Sequence, residues 1–129
     1  MTFIRRDAWS ITMNAADRTW PAELLWYARG VRALQAKPIS DPTSWRYQSA
    51  IHGLANTPPP PGAPWNECQH ATWYFTAWHR MYLAQFEQIV RAAIVALHGP
   101  NDWALPYWNY ERSKQALTIP PAFTAAKLS

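Results

Sequence analysis

"HATWYFTAWHRMYLAQFE", residues 70–87, decides how this chain folds. It runs without a break into "QIVRAAIVALHGP", so the longest helix-compatible stretch extends from about Thr72 to Leu97, with Gly99 and Pro100 stopping it. At 1.5 Å per residue such a helix is roughly 39 Å long. On a wheel of 100° per residue His79, Leu83, Phe86, Val90, Ala93 and Leu97 fall along one line, which predicts a buried apolar face with His79 on it. Arg80, Glu87 and Arg91 form a separate charged stripe, and Glu87 and Arg91 stand at the i, i+4 spacing of a helical ion pair.

Proline punctuates the chain on either side. "PAELLWYARGVRALQAK" (21–37) repeats Leu24, Ala28, Val31 and Gln35, with Leu34 nearby, at the period of an amphipathic helix that starts at Pro21 and ends at Pro38. "SDPTSWRYQSAIHG" (40–53) predicts a second helix over 42–52, with Asp41 as N-cap, Pro42 in the first turn, His52 in the last turn and Gly53 as the stop. The linker "LANTPPPPGAPWNECQ" (54–69) cannot be helical through Pro58–Pro61 and should run extended to Cys68. "NDWALPYWNYERSKQALTIPPAF" (101–123) reads as extended segments and short turns, and neither an internal repeat nor a β-strand pattern is present. The fold class is therefore mainly α, in one domain covering residues 1–129.

Composition narrows the function. The 129 residues are 49% hydrophobic and include nine tryptophans, six tyrosines and four phenylalanines, which suits a packed, ring-lined core and argues against disorder. The net charge is +4, but the basic residues are scattered and no block exceeds Arg5-Arg6, so nucleic acid is not an expected partner. No apolar run approaches the roughly 20 residues of a membrane span. The N-terminus lacks the apolar stretch of a signal peptide, and the single cysteine excludes an internal disulfide framework; together they favour a reducing compartment, the cytoplasm.

Two of the four histidines lie in the opening stretch. His79 on an apolar stripe reads by itself first as a hydrogen-bonded core residue, and its relation to His70 is what raises the reading as a ligand. Nine residues separate it from His70, about half a turn out of phase, so the two cannot address one target from a single continuous helix. His70 then belongs to the loop, His79 to the helix, and His52 can supply a third imidazole. Three imidazoles with no converging carboxylate suit copper or zinc and not calcium or magnesium. Because the ring nitrogens must be neutral to bind, affinity should fall with pH. His98, at the far end of the long helix, is read as a surface residue.

His52 followed by glycine, H-x8-H at 70 and 79 within "WHRMYLAQFE", and "LPYWNY" at 105–110 together resemble the copper A region of tyrosinases and other type 3 copper proteins, over roughly residues 38–112. The resemblance implies that His52, His70 and His79 hold one copper ion, with Trp78, Arg80, Phe86 and Glu87 as scaffold. Phe75 and Trp78 are candidates for lining the pocket or for core packing. Cys68, two residues before His70, occupies the place from which fungal members form a thioether to the histidine ring; read by itself it is a small buried hydrophobe. Asn109 stands where the family commonly has aspartate.

The family's second copper site, an H-x-x-x-H pair and a later histidine, is absent from the chain. The resemblance therefore implies the N-terminal half of a tyrosinase-like four-helix-bundle domain. Such a half contributes one of two copper ions and needs a complementary chain or C-terminal half; the end at "FTAAKLS" fits a cut. The complete enzyme would be a polyphenol oxidase or monooxygenase of the tyrosinase or catechol oxidase kind, oxidising phenols or o-diphenols to o-quinones with dioxygen. A haemocyanin-like oxygen carrier, a homodimer with a symmetric copper pair and a structural metal domain are the other readings. An isolated half should expose a large apolar face.

Overall fold

The computed structural model describes residues 2–11, 19–54 and 56–124. Among these, α1 (Ala22–Gln35), α2 (Trp45–His52), α3 (Phe75–Ala96) and α4 (Pro121–Thr124) are α-helical, and Ala8–Ser10 and Gln115–Leu117 form 3-10 turns. No strand forms among the described residues. The N-terminal segment instead pairs with the chain near Tyr107 at one parallel bridge, with Ala8 N donating to Tyr107 O (2.7 Å) and Tyr107 N to Arg6 O (3.0 Å).

The core forms where α1 crosses α3. Leu34, Val90, Ile94 and Trp103 are buried together, each aliphatic side chain contributing about 1.5–3 kcal/mol by leaving water. The helices approach closely at Gly30, where a Cβ would stand 3.0 Å from Ile94 Cγ1 and 3.3 Å from Val90 Cγ1. Trp103 stacks on Tyr27 (5.9 Å between centroids, 4° between planes) and donates its indole N–H to Glu23 O at 2.9 Å. A smaller cluster of Ile11, Trp20, Leu24 and Ala122 joins the N-terminal segment to α4.

Several details differ from the sequence reading. α3 begins at Phe75, not Thr72, because residues 72–74 make a turn in which Thr72 Oγ1 accepts from Tyr74 N (3.2 Å) and Thr72 O from Phe75 N (3.2 Å). The residues of α3 that are buried are Glu87, Val90 and Ile94, while Leu83 and Leu97 are exposed and His79 is half-buried. α1, about 21 Å long, covers only part of the roughly 33 Å of α3; it lies along the C-terminal part, where Gly30 meets Val90 and Ile94 and Trp26 meets Gly99, so the part carrying His79 and Leu83 extends beyond it. Gln35 is likewise exposed, and Leu34 takes the buried position. The N-cap of α2 is Ser44, whose Oγ accepts from Tyr47 N, while Asp41 caps the preceding turn by accepting from Thr43 N at 2.7 Å.

Glu87 is not part of a solvated stripe. It is buried and accepts from Arg5 Nε (2.6 Å), Arg91 Nη2 (2.6 Å) and Leu105 N (3.1 Å), so that one carboxylate ties α3 to the N-terminal segment and to the chain after α3. Burial pushes its carboxyl upward, but these donors outweigh it and hold the group below its ordinary range. A second carboxylate works similarly beside the departure at Asn109. Asp7 accepts from Asn109 N (3.4 Å) and pairs with Arg112 (3.0 Å), and these bonds, against burial, keep it low.

α3 ends in a Schellman motif. His98 N donates to Val95 O and Gly99 N to Ile94 O, both at 2.9 Å, and His98 takes the left-handed position (φ 62°) that glycine usually fills. Among the described residues no helix is long and apolar enough to cross a membrane.

Candidate metal centre

Three separate stretches of backbone deliver the candidate ligands. α2 is fastened to α3 by the Tyr82 hydroxyl, which donates to Gln48 O at 2.8 Å, and by Trp45 edge-on to Phe86 (5.8 Å, 66°). This sets His52, the last residue of α2, beside the first turns of α3. The proline-rich loop then returns to α2, with Trp65 buried edge-on to Tyr47 (5.7 Å, 79°), and carries Cys68 and His70 to the same place. His79 comes from the second turn of α3.

The imidazoles of His52, His70 and His79 form a nearly equilateral triangle, with centroid separations of 5.5, 5.6 and 5.4 Å. Cys68 Sγ stands 3.3 Å from His79 Nε2 and 3.5 and 3.6 Å from the two ring nitrogens of His70. One ligand atom from each of the four residues lies within 4.8 Å of all the others. Tetrahedral coordination at N and S bond lengths places ligand atoms roughly 3.3–3.8 Å apart, so small side-chain rotations would close the set on an ion. The donors are three imidazoles and a sulfur with no carboxylate among them, a soft set that fits copper or zinc.

The tautomer of one ligand is set locally. His79 Nδ1 lies 2.8 Å from Phe75 O, and since a carbonyl can only accept, Nδ1 carries the proton and Nε2 keeps a lone pair facing the cluster. Burial raises the Cys68 thiol above its ordinary range. Burial likewise raises the Tyr82 phenol, with a further contribution from nearby Cys68. Both therefore keep their protons at neutral pH in the metal-free chain. His52 and His70 are exposed, while Cys68 and His79 are half-buried.

Aromatic rings wall the site on the α3 side. Phe75 lies 4.3 Å from the His79 ring and 5.7 Å from that of His70. Trp78 lies 4.9 Å from His79 and 6.2 Å from His52, and stacks on Tyr82 (5.1 Å, 14°). Trp78 and Tyr82 also line a cleft of about 370 Å³ shared with Gln48, Ile51, Met81 and Gln85. Tyr82, absent from the sequence-level site, is 6.2 Å from His52; its i+3 spacing from His79 and i+4 from Trp78 was the available signal. Phe86 packs on Trp45, away from the ligands, and Glu87 holds the network described above. Arg80 is exposed and makes no ion pair among the described residues.

Residues 42–127 match the family model described as the common central domain of tyrosinase. The tyrosinase HcTyr1 of Hahella sp. (strain CCB-MM4) is 45% identical over 131 aligned residues, which cover 81% of this chain and 28% of that protein. A chloroplastic polyphenol oxidase of Spinacia oleracea is 32% identical, over 83% of this chain and 16% of its own length. Among solved structures, one of mushroom tyrosinase in coexisting latent and active forms superposes with a TM-score of 0.68 at 25% identity, covering 92% of this chain and 34% of that one. The chain thus spans less than a third of the length of these curated relatives.

Proposed function

This chain belongs to the tyrosinase family, and on that premise we propose that residues 1–129 are the copper A half of a type 3 copper oxidase that converts phenols or o-diphenols to o-quinones with dioxygen. The observation that carries the proposal is the meeting of His52, His70 and His79 around one point in a chain matched to the tyrosinase central domain. Copper, once bound, supplies the redox chemistry between the phenolic ring and dioxygen, and a second ion comes from a complementary chain or C-terminal half. The residues of this chain bind and orient. His79 offers Nε2 because Phe75 O holds the ring's one N–H proton on Nδ1, and His52 is braced by the Tyr82 bond to α2. Phe75 and Trp78 keep water from one side of the ligands and present ring faces to an aromatic substrate.

The proposal includes a thioether between Cys68 and His70. Sγ is almost equally far from both ring nitrogens, which favours Cε1, the carbon bonded to each, as the partner. Forming the S–C bond removes the thiol hydrogen and the ring C–H hydrogen; their two electrons and two protons reduce one dioxygen, the oxidant of the proposed activity, to hydrogen peroxide. The link would fix a ring that otherwise hangs from a loop, and it takes the Cys68 thiol out of the donor set, leaving the three imidazoles as the ligands.

The test loads this chain with copper, supplies the remainder of the domain as a second polypeptide, and follows catechol oxidation by quinone absorbance. One copper per chain and quinone formation only with both parts are expected. Zinc bound as tightly as copper, with no quinone formed, would overturn the reading.

A further inference from the structure

The loop between two of the three proposed ligands, His52 and His70, is closed at its base by Asn66 and its neighbour Glu67. The last carbonyls of a helix have no partner within it. At the end of α2 they are taken up by the returning chain: Asn66 N donates to Ala50 O at 2.9 Å and Glu67 N to Ile51 O at 3.2 Å. The Asn66 side chain closes the clasp from the other side, its Oδ1 accepting from Leu54 N at 2.8 Å. Asn66 does this in the left-handed conformation, with φ 60°, which asparagine tolerates better than other residues bearing a side chain. Cys68 follows two residues later and His70 four. Pro58 to Pro61, in the tip outside the clasp, are exposed.

We infer that Asn66 is the positioning residue of the metal centre: it locks the segment carrying Cys68 and His70 against the end of α2 that carries His52, and insulates that geometry from the proline tip. Its role is indirect, since it holds backbone and contributes no ligand atom. This rests on the reading of the three histidines as a metal site.

The experiment uses the 129-residue chain and cobalt(II) as probe, whose visible absorption reports the ligand set, with thermal unfolding measured in parallel. Asn66→Gly keeps the left-handed backbone and removes the Oδ1 acceptor; cobalt affinity should fall about tenfold, the scale on which groups supporting a ligand act, with the metal-free unfolding midpoint nearly unchanged. Asn66→Asp retains both acceptor and conformation and should restore parental affinity and spectrum. Deleting Pro59 and Pro60 should leave both unaltered. Hydrogen exchange at the Leu54 amide of the metal-free chain should accelerate in Asn66→Gly and not in Asn66→Asp. Parental cobalt binding by Asn66→Gly, or a loss on shortening the tip as large as that of Asn66→Gly, overturns the inference. A parent chain that binds no cobalt while its Leu54 amide stays protected overturns the metal reading and leaves the clasp standing.

Discussion

The proton on His79 Nδ1 is held by the carbonyl oxygen of Phe75, 2.8 Å away and one turn earlier in the same helix. That bond leaves Nε2, 3.3 Å from Cys68 Sγ, as the face His79 turns to the cluster. His79→Ala should therefore lower copper affinity by at least about tenfold, within the scale for groups that support a metal site, while far-UV circular dichroism stays unchanged. Affinity of the parent should fall with decreasing pH, because protons compete for the ring nitrogens. Copper titration at several pH values checks both; a His79→Ala chain that binds as the parent does contradicts the assignment.

Glu87 gathers Arg5, Arg91 and the Leu105 amide in a buried position. Replacing it with glutamine leaves two guanidinium groups without their counter-charge, and about 3–5 kcal/mol of stability should be lost, the range for breaking a buried pair. The sign of the pH dependence follows from a carboxyl held below its ordinary 4.5. The stabilisation is fully present above pH 4.5 and disappears as pH falls through the lower, folded-state value. Urea denaturation from pH 7 downward should show an acid decline in the parent that is shallower in Glu87→Gln.

The end of α3 allows opposite changes at adjacent residues. His98 occupies a left-handed conformation with φ 62°, so His98→Gly should stabilise the chain by about 0.5–1 kcal/mol. At Gly99 a Cβ would stand 2.5 Å from Ile94 Cγ2 and 2.8 Å from Trp26 Cε3, both in the packed region. Gly99→Ala should cost about 1–3 kcal/mol through overpacking. Thermal unfolding of the two variants should move in opposite directions.

Beside the candidate centre Trp73 is fully exposed, and Tyr74 and Met81 are more than two-thirds exposed. Apolar surface of this kind is normally covered, and the isolated chain should self-associate and bind a hydrophobic dye. Met81→Glu should reduce both effects without altering the unfolding midpoint by more than about 0.5 kcal/mol, as befits an exposed side chain. Sedimentation velocity at increasing concentration is the measurement. A parent chain that stays monomeric and dye-free at high concentration would show that this face needs no partner.

Much was legible before any coordinates. The long helix through His79 announces itself by unbroken periodicity and a glycine-proline stop, and the half-turn offset between His70 and His79 already requires that one of them leave the helix. The family resemblance rests on short motifs whose residues are adjacent in sequence, and it too could be read directly. Less legible were the faces of the helices. Leu83 satisfies the apolar period and yet is exposed, because α1 packs only along the C-terminal part of α3. Glu87 has the pattern of a surface charge and is buried, because Arg5, 82 residues earlier, folds back to meet it.

Local physics, carried by spacing, proline and glycine, determined where this chain is helical and which side chains are able to hold a metal. Whether those side chains meet was decided only by long-range contacts: Tyr82 fastening α2 to α3 and Asn66 clasping the loop to the end of α2. Each such contact joins residues from different segments, and a pattern of neighbours along a chain holds no information about which distant groups will close on one another.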